Sequence, residues 1–176
     1  MGTRLGGSRP TKSRCEFVSA AKSRLRESGL RWTRSRALVV EAVAGASRPL
    51  NAYGVRAEIA SAGGKVDVVT VYRALSALAE VGLVHWVGIA EGYLACRVEH
   101  ADQGQQMYVY CPDCGLVREI PIDPSSLAAV QKSLEPLGEP PTAISLEVAV
   151  KCGDCTGGTT EGGFRVAAWD DAEPSA

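Results

Sequence analysis

Apolar residues in the first eighty positions recur at helical spacing in four successive stretches, each bracketed by capping residues. The first runs from Cys15 to Ser28 and is closed by Gly29, a residue type that commonly follows helix ends. In the second, Thr33 is an N-cap, Leu38, Val39, Ala42 and Val43 form an i, i+4 stripe, and Gly45 ends the run. In the third, Asn51 caps, Ala52, Val55 and Ile59 make the buried face, and Gly63 and Gly64 stop it. The fourth opens at Asp67 with a β-branched run, Val68 to Val71, and such residues are poor helix formers. Periodicity overrides that preference: Val68, Val71, Leu75 and Leu78 fall on one helical stripe, and Gly82 follows as a stop. The opposite face carries Thr70, Tyr72, Arg73 and Ser76.

The period then switches to two. LVHWV and YLACRV read as short strands joined by the turn GIAEG, a hairpin. Helices followed by a β-hairpin form the winged helix-turn-helix pattern, whose second turn helix enters the DNA major groove. Residues 99–105, EHADQGQ, are polar and read as a linker. Beyond it, MYVYC and LVREI are strands around a CxxC. DPSSLAAVQKSLEPLG is a helix with Asp123 as N-cap, Pro124 at its first position and Leu127, Val130 and Leu134 inward. ISLEVAVK alternates, with Ile144, Leu146, Val148 and Val150 on one face. A β-β-α-β unit of about 50 residues buries too little apolar surface to stand alone. It is expected to dimerise, to dock on the first unit, or both.

The expected class is therefore α+β: a winged helix-turn-helix domain over 15–98, a linker over 99–105 and a small α/β dimerisation domain over 106–155. The basic residues 1–14 and the Gly-rich, acidic residues 156–176 read as disordered tails.

Composition sharpens this division. The 176 residues are 45% hydrophobic but only 6% aromatic, so aliphatic side chains must supply the core. No apolar run approaches the ~18–20 residues that span a bilayer. No apolar segment follows the basic N-terminus as it would in a signal peptide, so a cytoplasmic location with no membrane partner is expected. Disulfides are disfavoured there, and paired CxxC motifs then point to metal or redox chemistry. The net charge of −1 conceals a split. Residues 1–73 hold 14 Lys and Arg against 5 Asp and Glu, and residues 74–176 hold 5 against 15. A basic front half suits a polyanionic partner, although a basic tail beside an ordinary acidic domain would give the same arithmetic.

Cys111, Cys114, Cys152 and Cys155 form a C-x2-C…C-x2-C set beside strand ends. Four thiolates suit tetrahedral zinc, and a filled shell makes such a site structural. Redox-active dithiols or an iron–sulfur cluster are the competing readings. His85 and Cys96 lie on the two hairpin strands, near His100 in the linker and facing Glu119. Singly, a strand His or lone Cys is most often structural. Together they make a mixed N/S/O set that can hold a borderline-soft ion such as zinc.

GLRWTRSR, TVYRALSALAEVGLVH and YVYCPDCGLVREI, in this order, resemble the ferric uptake regulator family of bacterial metalloregulators, over roughly Glu16 to Cys155. The resemblance implies a homodimeric repressor that binds a double-stranded DNA operator, has no small-molecule substrate and carries two zinc ions per chain. One ion, on the four Cys, would be structural. The other, at the hinge, would be regulatory and control DNA affinity. Within the family, LVHWV…YLACRV is most similar to the zinc uptake regulator branch. That branch's sensory site uses a His on the first wing strand, a Cys on the second, a linker His and a Glu after the CxxC. His85, Cys96 and Glu119 match three of these. Gly104 stands where the linker His is expected, leaving His100, four residues earlier, or more weakly Asp102 or Glu99. Iron- and peroxide-sensing branches use hinges rich in His and carboxylate, whereas this chain has two His. An iron, nickel or peroxide sensor is the alternative on the same fold.

The resemblance also assigns Tyr72 and Arg73 to DNA reading. Arg can bond a guanine edge bidentately, and Tyr can pack on a thymine methyl. Arg31 matches a basic residue near the minor groove. Arg34, Arg36 and the tail arginines would contact phosphate. A zinc enzyme fits poorly. The P-C-x-x-C half of the deaminase motif is altered in CPDC, its H-x-E half is missing, and four Cys ligands leave no position for water. A zinc-stabilised interaction module without a DNA role is the remaining alternative.

Overall fold

The computed structural model describes residues 13–96, 106–138 and 144–157. The expected linker, with His100, and nearly all of both expected tails lie outside the described residues.

Helix α1 spans Arg14–Glu27 and starts one residue before the expected boundary. Its start is fixed by a capping box: Ser13 Oγ accepts from the Glu16 amide (3.3 Å), and Glu16 Oε2 accepts from the Ser13 amide (2.7 Å). Arg14 is thus helical rather than part of a tail. Helices α2 (Arg34–Gly45), α3 (Ala52–Ser61) and α4 (Val68–Glu80) follow. Thr33, Asn51 and Asp67 cap them, each accepting a backbone N–H three residues on. The Asp67 cap overcomes the weak helix propensity of the β-branched run, because α4 buries Val71, Ala74, Leu75, Ala77 and Leu78. Phe17 and Leu25 of α1, Val39 and Val43 of α2, and Val55 and Ile59 of α3 join them in one core.

Strands β1 (Val84–Val87) and β2 (Gly92–Ala95) form the wing. The β2 ladder ends at Ala95, short of the expected Val98, but the Cys96 amide still donates to Leu83 O (2.9 Å). Between the strands, Gly88–Ala90 form one 3-10 turn, and Glu91 closes it with φ +48°. The hairpin is tied to the helices by Leu50, which exchanges two backbone hydrogen bonds with Tyr93 (3.0 and 2.8 Å).

The second unit holds β3 (Gln106–Tyr110), β4 (Val117–Pro121), α5 (Pro124–Leu134), β5 (Leu146–Ala149) and the short α6 (Gly153–Thr156). The sheet order is β4-β3-β5, antiparallel on one side of β3 and parallel on the other. Register puts Glu119, Tyr108 and Glu147 in one row across it. Side chains in one row share a face, and this face docks on the wing: Tyr108 and Val117 pack with Val87, Leu94 and Ala90. The opposite face carries Leu146 and Val148. Val148 and Val150 are each 40% exposed. Helix α5 places Leu127, Val130 and Leu134 half-buried, and none of its residues is fully buried. Of the two ways to cover so small a unit, docking on the first is thus realised within one chain.

At Gly92 the wing lies tightly against the segment before α3. A Cβ there would lie 2.8 Å from Pro49 C and 2.9 Å from Leu50 N, both backbone atoms that cannot swing away. Gly92→Ala is expected to destabilise the fold by about 2 kcal/mol or more, read as a lowered urea midpoint.

Candidate metal centres and nucleic-acid face

Two tight turns build the four-Cys cluster. After β3, Gly115 N–H donates to Cys111 O (2.8 Å) with Gly115 at φ +72°, and the Cys111 amide donates to Leu116 O (2.9 Å). This turn brings Cys114 back over Cys111. After β5, the Cys155 and Thr156 amides both donate to Cys152 O (3.0 Å each). Parallel pairing carries β3 and β5 to the same sheet end, where the Val150 amide donates to Tyr110 O (2.8 Å). The four sulfurs consequently lie within 4.8 Å of one another.

Cys114 Sγ and Cys152 Sγ are 3.7 Å apart. That is too long for a disulfide, at about 2.05 Å. It matches the edge of a tetrahedron with Zn–S near ~2.3 Å, about 3.8 Å. The Cys152 amide donates to Cys111 Sγ (3.4 Å) and, against the opposing effect of burial, brings that thiol down to about 6. The Cys155 thiol is pushed up by its bond to Cys152, by burial and by the neighbouring sulfurs. Clustered sulfurs oppose one another's ionisation, a repulsion that a bound cation would offset. The donor set and spacing fit a tetrahedral metal.

A second group joins the two units. His85 stands on β1 opposite Leu94, Cys96 follows β2, and Glu119 stands on β4. One ligand atom from each lies within 4.8 Å of the others. Cys96 is buried and the other two half-buried, so the expected trio converges. His100, Glu99, Asp102 and Gly104 lie outside the described residues.

Sequence reasoning missed Tyr108. Its hydroxyl donates to Glu119 Oε1 (3.3 Å), and its ring lies 6.0 Å from the His85 ring. Burial, then the Glu119 and Cys96 charges, push the phenol well above its ordinary range. It therefore stays a neutral donor that orients the carboxylate. Its place was readable only from the pairing of Tyr108 with Glu119.

On α4, Tyr72 is 46% exposed and Val69 54% exposed, and Arg73 and Ser76 are exposed beside them. Tyr53 meets Tyr72 edge-on at 6.4 Å. Thr70 is half-buried and donates its hydroxyl to Asp67, which holds that carboxyl below its usual range. Arg36 bonds Arg31 O (2.6 Å) and so ties the α1–α2 turn. Arg31 itself is exposed and lines an open groove with Lys22, Arg26 and Trp32. Lys22 and Arg26, one turn apart on α1, add basic charge to that groove.

Two outcomes test these sites. Chelation at the four-Cys cluster is expected to increase hydrogen exchange across residues 106–157 while the helical core stays protected, since that core includes no residue of the second unit. Tyr108→Phe removes an outer-shell partner of Glu119 and is expected to weaken metal binding at the trio about tenfold or more, measured by chelator competition.

Residues 27–137 match the ferric uptake regulator family. Among curated proteins, none matches the sequence significantly. A zinc uptake regulator solved in complex with zinc and DNA superposes with a TM-score of 0.73 at 22% identity, over 83% of this chain and 97% of that one. The holo form of XcZur gives 0.68 at 30% identity, over 81% and 98%. The Vibrio cholerae ferric uptake regulator gives 0.52 at 22% identity, over 74% and 98%. With the helical body, the wing and the four-Cys sheet in one order, the chain belongs to the ferric uptake regulator family of metal-responsive, DNA-binding transcription regulators.

Proposed function

We propose that the protein is a zinc-responsive repressor that binds operator DNA as a homodimer and controls genes of zinc uptake and homeostasis. The observation that carries this reading is the convergence of His85, Cys96 and Glu119 from two units onto one point. An imidazole, a thiolate and a carboxylate suit a borderline-soft ion, and the thiolate disfavours magnesium and calcium. The similarity to holo XcZur, at 30% identity, supports zinc over iron. His100 is the proposed fourth ligand, and Cys111, Cys114, Cys152 and Cys155 are proposed to hold a separate structural zinc.

A zinc ion at the trio supplies a cross-link between the units. His85 and Cys96 belong to the wing and Glu119 to the second sheet, so the three meet only when the units are docked. Docking fixes how α4 is presented, with Tyr72 and Arg73 toward bases, Ser76 beside them and Arg31 toward the backbone. Thr70 and Arg36 support that face from within, through the Asp67 cap and the α1–α2 turn. Whatever favours the docked arrangement favours operator binding by the same free energy. The half-exposed face of Leu146, Val148 and Val150, with the half-buried stripe of α5, is the proposed dimer surface. Among the described residues, no helix is long and apolar enough to cross a membrane.

Operator binding measured against free zinc tests the reading. The natural chain is expected to gain roughly 5–150-fold in affinity as zinc rises, the usual range of an allosteric coupling. Cys96→Ser is expected to lose that response while keeping its four-Cys zinc. A response unchanged in Cys96→Ser would overturn the assignment, and the same titration with iron or nickel distinguishes the sensed ion. Arg73→Ala is expected to cost about 1–3 kcal/mol of operator binding and to relax preference at one base pair, seen by comparing operator variants.

A further inference from the structure

Among the described residues, the Arg48 side chain lies against Gly115, and three further contacts join the units. The metal trio needs an ion. The apolar cluster of Val87, Tyr108 and Val117 is non-directional. The third contact is directional and contains no metal ligand. Glu147 on β5 reaches across to the wing turn, where Oε1 accepts the Gly88 amide (2.9 Å) and Oε2 the Ile89 amide (2.7 Å). Both bonds are charge-assisted and well formed. The turn has no side-chain cap of its own, since Val87 precedes it. Glu147 supplies that cap from the other unit.

Its position relative to Glu119 matters as much as its bonds. On the sheet, Glu119 and Glu147 flank Tyr108 on the two outer strands, about 10 Å apart at the spacing of paired strands. On the wing, His85 and the Gly88–Ile89 amides are separated by most of β1, again about 10 Å. Besides the apolar cluster, the two bodies therefore have two directional attachment points with matching separations. One attachment leaves a swivel, whereas two fix the orientation.

We propose that Glu147 is a metal-independent catch: it sets the docked orientation in which His85 and Cys96 meet Glu119, and so is a positioning residue for the regulatory site. The proposal rests on reading the trio as that site. Without the catch the docked fraction falls, and apparent metal affinity falls with it in proportion.

The test compares wild type, Glu147→Ala and Glu147→Gln as full chains carrying four-Cys zinc. Chelator competition is expected to give about tenfold weaker zinc binding at the labile site for Glu147→Ala, the order expected for hydrogen bonds to a charged group, and a smaller loss for Glu147→Gln. The cobalt spectrum at saturation should match wild type, because every ligand remains. With the labile site empty, small-angle scattering should give a larger radius of gyration for Glu147→Ala. Zinc affinity within twofold of wild type together with superimposable scattering would overturn the proposal, as would an altered cobalt spectrum. If wild type holds no labile zinc, the regulatory reading fails, and scattering alone then decides the catch.

Discussion

Three side chains stand in one row across the second sheet: Glu119 on β4, Tyr108 on β3 and Glu147 on β5. The pairing of β3 with its two neighbours creates that row. The same pairing brings the turn after β3 beside the turn after β5, so that four sulfurs meet at one sheet end. A slip of one residue in either pairing would turn the row to the opposite face. It would also break the match between the two Cys turns. Strand β3 is therefore the shared reference for both groups of candidate metal ligands and for the docked wing.

Energetically the two units differ in kind. The winged body has a continuous core of Val, Leu, Ala, Ile and Phe, closed by four capped helices and the Leu50–Tyr93 bridge. Its stability comes from ordinary apolar burial. The second unit buries little by itself. Tyr108, Cys111, Val117 and Cys152 are its only fully buried residues among those described. So thin a core depends on neighbours: the wing on one face, the sulfur cluster at one end, and the exposed Val148 side left for a partner. That dependence makes the docked arrangement responsive. Where intrinsic burial is small, a few directional contacts decide the balance between arrangements. The Glu147 carboxylate at one end of the row supplies such contacts, and Tyr108 beside it packs against the wing.

The helical body was nearly all legible in the sequence. Thr33, Asn51 and Asp67 fixed three helix starts, because a cap is a bond to an amide three residues away. The β-branched opening of α4 resolved as a helix because periodicity reflects burial, and burial outweighs local propensity. The Ser13–Glu16 capping box is equally local, and it sets the start of α1 at Arg14. In the second unit the inward stripe of α5 is correctly placed. Among the described residues the stripe is only half-buried.

The sequence alone determined the features that depend on near neighbours: helices, caps, the hairpin, the spacing of each CxxC and the identity of the candidate metal ligands. His85 and Cys96 were legible together because only ten residues of hairpin separate them. Tertiary structure decided what those residues face. That Tyr108 bonds Glu119 follows from the β3–β4 register, and that Glu147 caps the Gly88–Ile89 turn follows from the docking of the second sheet on the wing. The parallel β3–β5 register leaves no mark on either strand's alternation, which reads alike in any register that keeps the same face. Only the closing of the sheet and the docking of its face on the wing select one register, and with it the partners of each side chain.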